Sequence, residues 1–300
     1  MTMTSGKRPD AGRYQDVFFE SDDGLDLYAR DYPNPDAPLT VLCLHGLTRN
    51  SADFADLAAA LQPDFRVLAM DQRGRGRSAY DPDPSRYALP TYVKDAFALM
   101  DHLALEHVAV IGTSMGGLMA MLMAARQPDR ICGIVFNDVG PVVEAEGLRR
   151  IQGYVGKGGE IASWADAVAL TQANNGAAFP GLSEADWLAF ARRLFVENDA
   201  GVPVLAYDAK ISEPMQADQT TAVPADLWPV FDAMGEIPLL VVRGALSDIL
   251  SRETVEEMAR RHPGTTAVEV PDRGHAPMLD EPEAMQAVSE FLAALGGKRG

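Results

Sequence analysis

The chain has 300 residues, 47% of them hydrophobic, and its 26 Lys+Arg against 43 Asp+Glu leave a formal charge of −17. This length and apolar content suit one large domain, or one domain carrying an insertion, while the charge repels nucleic acid and anionic lipid at long range. No apolar run reaches the roughly 18 residues of a membrane span, and Met1 to Asp10 lacks the apolar segment of a secretory signal, so the sequence reads as a cytoplasmic protein with neither nucleic acid nor membrane as partner.

Residues 1–12 are expected to form a disordered tail. Gln15 to Glu20 and Leu25 to Tyr32 then flank Ser21-Asp22-Asp23-Gly24, a hairpin with an Asp-Gly turn. From there the pattern changes. Apolar strands at Thr40 to Leu44, Phe65 to Met70, His107 to Ile111 and Ile131 to Phe136 alternate with helical segments at Ala52 to Leu61, Thr91 to Leu103 and Ser114 to Arg126, the rhythm of a parallel sheet. In the second helix Val93, Phe97, Met100 and Leu103 share one face and are expected to pack on the sheet. Cys43 and Cys132 sit in apolar strands and read as reduced core residues.

After Asn137-Asp138-Val139-Gly140-Pro141 the strand rhythm stops. Residues 142–225 carry mainly helix patterns, at Ser163 to Gln172 and Ser183 to Phe195, with a short strand at Val202 to Tyr207. This block reads as an inserted helical cap, with residues 13–141 and 226–295 as the core. The parallel rhythm resumes with a strand at Pro238 to Val242, a helix at Ser251 to Arg261, a strand at Ala267 to Val270 and a closing helix at Glu283 to Leu295. Residues 296–300 read as a tail.

Gly112-Thr113-Ser114-Met115-Gly116 stands between an apolar strand and a helix, the context of a nucleophile elbow. The serine hydroxyl is thrust above the sheet, and the Met115 N–H is placed as an oxyanion donor. Polar residues just past other strands converge on the same edge: Asp248, His275 and His45-Gly46-Leu47. An aliphatic hydroxyl needs a base to take its proton as it attacks, and His275 is suited to accept it and hand it to the leaving group. Asp248 is chosen as the carboxylate that fixes the imidazole tautomer, and the N–H groups of Leu47 and Met115 as the oxyanion hole.

These segments together resemble the α/β-hydrolase fold family. His45-Gly46-Leu47 is similar to its oxyanion loop, Asp71-Gln72-Arg73-Gly74-Arg75-Gly76-Arg77-Ser78 to its D-x-R-G-x-G-x-S loop, Arg243 to Asp248 to the segment holding the acid, and Gly274-His275-Ala276-Pro277 to its histidine loop. The resemblance implies an α/β fold with a mostly parallel sheet flanked by helices. It also leaves Asp138 as a competitor for the acid, because some members draw it from the strand before the cap.

His45, Arg49, Phe179 and Trp187 are pocket candidates, although in similar hydrolases the position of His45 braces the loop. Asp71, Arg73 and Arg77 are read as organising their loop. Serine at the elbow, where haloalkane dehalogenases and epoxide hydrolases use aspartate, points to a carboxylic ester hydrolase. It would act on a small, partly apolar ester, lactone or thioester. A carbon–carbon bond hydrolase of ring-cleavage products is the alternative, set back by Thr113 before the serine and Ala276 after the histidine, where those enzymes usually carry Asn and an aromatic. A small-molecule receptor on the same fold is a further reading. No cofactor or metal is expected.

Overall fold

The computed structural model describes residues 13–157, 159, 161–214 and 226–297. The expected tail at 1–12, the end of the inserted block at 215–225 and residues 298–300 lie outside them. Strands β1 (Gln15–Glu20) and β2 (Asp26–Tyr32) form the expected hairpin, with Gln15 opposite Asp31 and Glu20 opposite Asp26. Gly24, at φ +82°, supplies the left-handed residue of the turn. There follow β3 (Thr40–Leu44), α1 (Ala55–Leu61), β4 (Arg66–Asp71), α2 (Leu89–His102), β5 (Val108–Thr113), α3 (Met115–Arg126) and β6 (Ile131–Asn137).

The chain then leaves the sheet for α4 (Ala145–Tyr154), α5 (Trp164–Asn175), α6 (Glu184–Leu194) and a small antiparallel pair, β7 (Phe195–Glu197) with β8 (Pro203–Leu205). Ser163 caps α5, and Ser183 forms a reciprocal capping box with Asp186 at the start of α6. The chain returns through α7 (Trp228–Asp232), β9 (Leu239–Gly244), α8 (Arg252–Arg261), β10 (Thr265–Val270) and α9 (Pro282–Gly296). Gly296, assigned to the tail by sequence, is the last helical residue.

The eight-stranded sheet has the order β1-β2-β4-β3-β5-β6-β9-β10. β2 runs antiparallel to β4, and every pairing from β4 to β10 is parallel. Parallel strands covered on both faces read as continuous apolar runs, and their alternate residues divide into two cores. Leu42, Leu44, Leu68, Met70, Val110 and Phe136 pack with Val93, Phe97 and Met100 of α2 and with Met119 of α3. Val41, Cys43, Val67, Ala69, Ile111 and Val135 pack with Leu57 of α1 and Val288 and Leu292 of α9. Cys132 packs against this second core. Among the described residues no helix is long and apolar enough to cross a membrane.

Because the central strands are parallel, their carboxyl ends share one edge of the sheet, where the loops after β3, β5, β6, β9 and β10 meet. The inserted block is stitched to that edge: Asn50 Nδ2 donates to the Arg193 carbonyl, Gly76 N–H to Ala206 and Asp208 N–H to Gly74.

Candidate active site

Ser114 joins β5 to α3 at φ 52°, ψ −116°, a left-side conformation that a non-glycine residue adopts only when its surroundings impose it. The elbow is tight enough to exclude side chains on either flank. A Cβ on Gly112 would strike the Gly116 backbone, and one on Gly116 the Leu44 carbonyl. The Ser114 N–H donates to the Asn137 carbonyl at 3.0 Å, and Gly117 N–H donates to the Ser114 carbonyl at 2.9 Å.

The Ser114 hydroxyl lies 2.8 Å from His275 Nε2. His275 Nδ1 lies 2.8 Å from Asp138 Oδ2. A carboxylate only accepts, so Nδ1 carries the imidazole proton and Nε2 is left to accept from the serine. Asp138 is fully buried, and its oxygens also accept from Gly244 N–H at 2.8 Å and from the Ser247 hydroxyl at 2.6 Å, which satisfies a carboxylate that burial would otherwise penalise.

The residue facing the histidine is therefore Asp138, and the expectation of Asp248 is corrected. Asp138 ends β6, the immediate neighbour of the serine-bearing β5, and its φ of 56° turns the chain back at that point. Asp248 lies one strand further out and is engaged by Arg150 of α4, whose Nε and Nη2 reach its two oxygens at 2.6 and 2.8 Å. Burial pushes the Asp248 carboxyl up, but the Arg150 guanidinium outweighs it and holds the group below its ordinary value. The polar ending Asn137-Asp138 was the available signal for the acid; nothing in the sequence marked Arg150 as the partner of Asp248.

Around Ser114, His275 and Asp138, Asn137 Nδ2 donates to Thr113 Oγ1 at 3.0 Å and to the Pro277 carbonyl at 2.8 Å, tying the strand before the serine to the loop of the histidine. Among the described residues Leu47 N–H donates to no other backbone group, and Met115 N–H, in the first turn of α3, has no intrahelical acceptor. Arg75, fully buried, donates from Nε to the Leu47 carbonyl at 2.9 Å while Nη1 reaches the Arg73 carbonyl and the Tyr92 hydroxyl. It thereby holds the Leu47–Thr48 peptide, next to the one carrying the expected oxyanion donor. Sequence reading placed Arg75 in the D-x-R-G-x-G-x-S loop without a task of its own.

Asp71 organises that loop as expected, accepting from Ser51 and Arg77 N–H. Arg73 does so through ion pairs with Asp23, Asp81 and Asp95. Arg77 pairs with Asp16 at the surface.

Two chambers open beside Ser114. The smaller, about 100 Å³, is lined by His275, Arg49, Thr113, Asn175 and Arg193 with Phe179 and Phe190. The larger, about 460 Å³, is lined by Met115, Leu118, Leu122, Val143 and Leu148 among other apolar residues. Leu47, Ser114 and Ile151 belong to both.

Of the pocket candidates, Arg49 and Phe179 thus line a chamber. Trp187 does not, because it stacks behind Phe190 at 5.8 Å between rings. His45 is buried away from both, its Nδ1 2.7 Å from the Gly46 carbonyl and its Nε2 accepting from Gln72 N–H. This arrangement braces the loop, as the resemblance suggested, and corrects its placement in the pocket. Burial, offset in part by the Gly46 bond and reinforced by Arg75 and Arg49, pushes the His45 imidazole down to about 3.

The model of the alpha/beta hydrolase fold family matches residues 40–282. The chain belongs to this family. It is 36% identical over 268 residues to 3-hydroxybutyrate-oligomer hydrolase of Cupriavidus necator, covering 87% of this chain and 91% of that protein. It is 29% identical over 255 residues to 2-(acetamidomethylene)succinate hydrolase of Mesorhizobium japonicum, covering 85% and 88%. Among solved structures, an alpha/beta hydrolase from Novosphingobium aromaticivorans superimposes with a TM-score of 0.89 at 45% identity, over 95% of this chain and 99% of that one. The family and these relatives make the chain a hydrolase of the α/β-hydrolase fold.

Proposed function

We propose that this protein is a serine hydrolase of carboxylic esters, acting on esters of short aliphatic hydroxy acids through an acyl-enzyme. The observation that carries the reading is the unbroken relay from the Ser114 hydroxyl through His275 to Asp138. Ser114 Oγ attacks the ester carbonyl as His275 Nε2 takes its proton, and the imidazolium formed is stabilised by Asp138. The carbonyl oxygen, now negative, accepts from the N–H groups of Leu47 and Met115. When the tetrahedral intermediate collapses, the C–O bond to the alcohol breaks and the alcohol oxygen receives the proton held by His275. Water, deprotonated by His275, then attacks the acyl carbon, and Ser114 leaves with its proton restored. The inserted block acts as a cap whose residues, Phe179, Phe190 and Arg193 among them, close the site from above.

The substrate class draws on the relative named for 3-hydroxybutyrate oligomers, which spans most of both chains, and on the mixed lining beside Ser114: two guanidinium groups on one side, aliphatic side chains on the other. The test is turnover of p-nitrophenyl acetate and of a linear 3-hydroxybutyrate dimer, together with covalent capture by a fluorophosphonate probe. The parent protein is expected to cleave both esters and to be labelled at Ser114. In Ser114→Ala labelling vanishes and the rate falls by a factor of about 10⁴ or more. Turnover that survives Ser114→Ala would overturn the reading.

A further inference from the structure

Whichever ester is cleaved, its two halves must leave the reacting carbon in different directions. The leaving oxygen has to come within hydrogen-bond reach of His275 Nε2, the only base positioned to give it a proton, and the oxyanion has to face Leu47 and Met115. The two chambers divide these duties. His275 lines the small chamber and not the large one; Met115 lines the large chamber and not the small one.

From this division we infer that the acyl half of the substrate lies in the large apolar chamber and the alcohol half in the small polar one, so that a hydroxy-acid oligoester is cut at its carboxyl end, one unit at a time. The inference rests on the serine-esterase reading and adds to it a direction and a specificity site.

Size and chemistry agree with this seating. About 100 Å³ is less than a quarter of the larger chamber, room for a short alcohol and too little for a chain of several units. About 460 Å³ falls within the usual range of small-molecule pockets, and its aliphatic lining suits methyl-branched ester units. In the small chamber Arg49 spends Nε and Nη2 on Asp53 and lies with its guanidinium carbon 4.3 Å from the Phe190 ring centroid. Its Nη1 has no acceptor among the described residues.

Arg193 gives Nη2 to Asp56 and Nη1 to the Met278 sulfur, and its Nε has no acceptor among the described residues. Each guanidinium thus lines the space where the alcohol half must sit and keeps a donor that no group among the described residues takes. A carboxylate on that half is the group that takes two such donors at once. The paired aspartates keep the chamber from becoming a general anion trap, so recognition depends on donor geometry more than on net charge.

The experiment uses the full chain and a linear 3-hydroxybutyrate trimer whose carboxyl-terminal unit is isotopically labelled. Mass spectrometry of the first product is expected to find labelled monomer and unlabelled dimer. Methyl esterification of the trimer carboxylate is expected to raise KM about tenfold with a smaller change in kcat. In Arg49→Gln that preference for the free carboxylate is expected to shrink to near unity. Leu148→Trp, which fills the large chamber, is expected to lower kcat/KM for the trimer at least tenfold.

Labelled dimer as the first product, or indifference to the methyl ester, overturns the seating while leaving the esterase reading intact. Parent protein that cleaves p-nitrophenyl acetate and the 3-hydroxybutyrate dimer but not the trimer also overturns it. Parent protein that cleaves no ester overturns both.

Discussion

Two aspartates stand at the ends of neighbouring strands, and their partners rather than their positions assign their chemistry. Asp138 is buried against the proton-bearing nitrogen of His275; Asp248 faces a guanidinium. Asp138→Asn removes the group that selects the imidazole tautomer and stabilises its cation, and a fall in kcat/KM by a factor of about 10³ to 10⁴ is expected. Asp248→Asn is expected to stay within about tenfold of the parent. Steady-state kinetics on one short ester rank the two, and the reverse ranking would return the acid to Asp248. Arg75 holds the Leu47 carbonyl, in the peptide next to the one bearing the expected oxyanion N–H, and lines neither chamber, so it is a positioning residue that acts by keeping this loop in place. Arg75→Met is expected to lower kcat by a factor of about 10 to 10², with KM near the parent value, since an oxyanion donor set askew stabilises the transition state more weakly than it alters ground-state binding. A rise in KM alone would contradict that role.

At the level of the element, the elbow and α4 are held by different physics. The turn from β5 to α3 exists only where backbone meets backbone without a side chain between them. Gly116→Ala drives a methyl group into the Leu44 carbonyl, and a loss of about 1 to 3 kcal/mol is expected in urea denaturation. An unchanged midpoint would mean that the turn relaxes freely. α4 is fastened to the loop after β9 by the Arg150–Asp248 pair and by Gly147 N–H donating to the Asp248 carbonyl at 3.1 Å. The charged pair is partly open to solvent, which screens it, so Arg150→Met is expected to cost on the order of 0.5 to 1 kcal/mol. Because the Asp248 carboxyl is held below its ordinary value, that contribution is present above the ordinary carboxylate range and fades as pH falls through it.

Across the whole molecule, burial of a neutral histidine links stability to pH. In the unfolded chain the His45 imidazole takes up a proton near 6.5; in the folded one it does not until about 3. Between those values the unfolded state binds one more proton, so folding weakens as pH falls, by up to about tenfold in the folding constant per pH unit. The carboxylates held low by ion pairs add their losses only below the ordinary carboxylate range, while burial pushes the carboxyls of Asp71, Asp95 and Asp280 up and lets the folded state take up protons above it, so over the interval from about pH 6.5 to 4.5 the comparison with a His45 variant isolates the histidine. Urea midpoints over that interval are expected to decline more steeply in the parent than in His45→Asn, and equal slopes would remove His45 as the cause.

The sequence by itself determined the order of strands and helices, the elbow, the serine and the histidine. Each of these is written in local terms: apolar runs for strands buried on both faces, glycines where backbones touch, a histidine loop after a strand. It also placed two helices of the inserted block, those beginning at Ser163 and Ser183, but not α4. The tertiary structure decided which aspartate meets the histidine, which arginines line the chamber beside the serine, and that His45 is sealed away while Arg49 lines a chamber. Those outcomes depend on the order β5-β6-β9 across the sheet and on where α4 and α6 dock, contacts between residues about a hundred or more positions apart that no local pattern encodes. Asp138 and Asp248 look alike along the chain because each follows a strand; they part company only when Arg150 arrives from α4 to claim one of them.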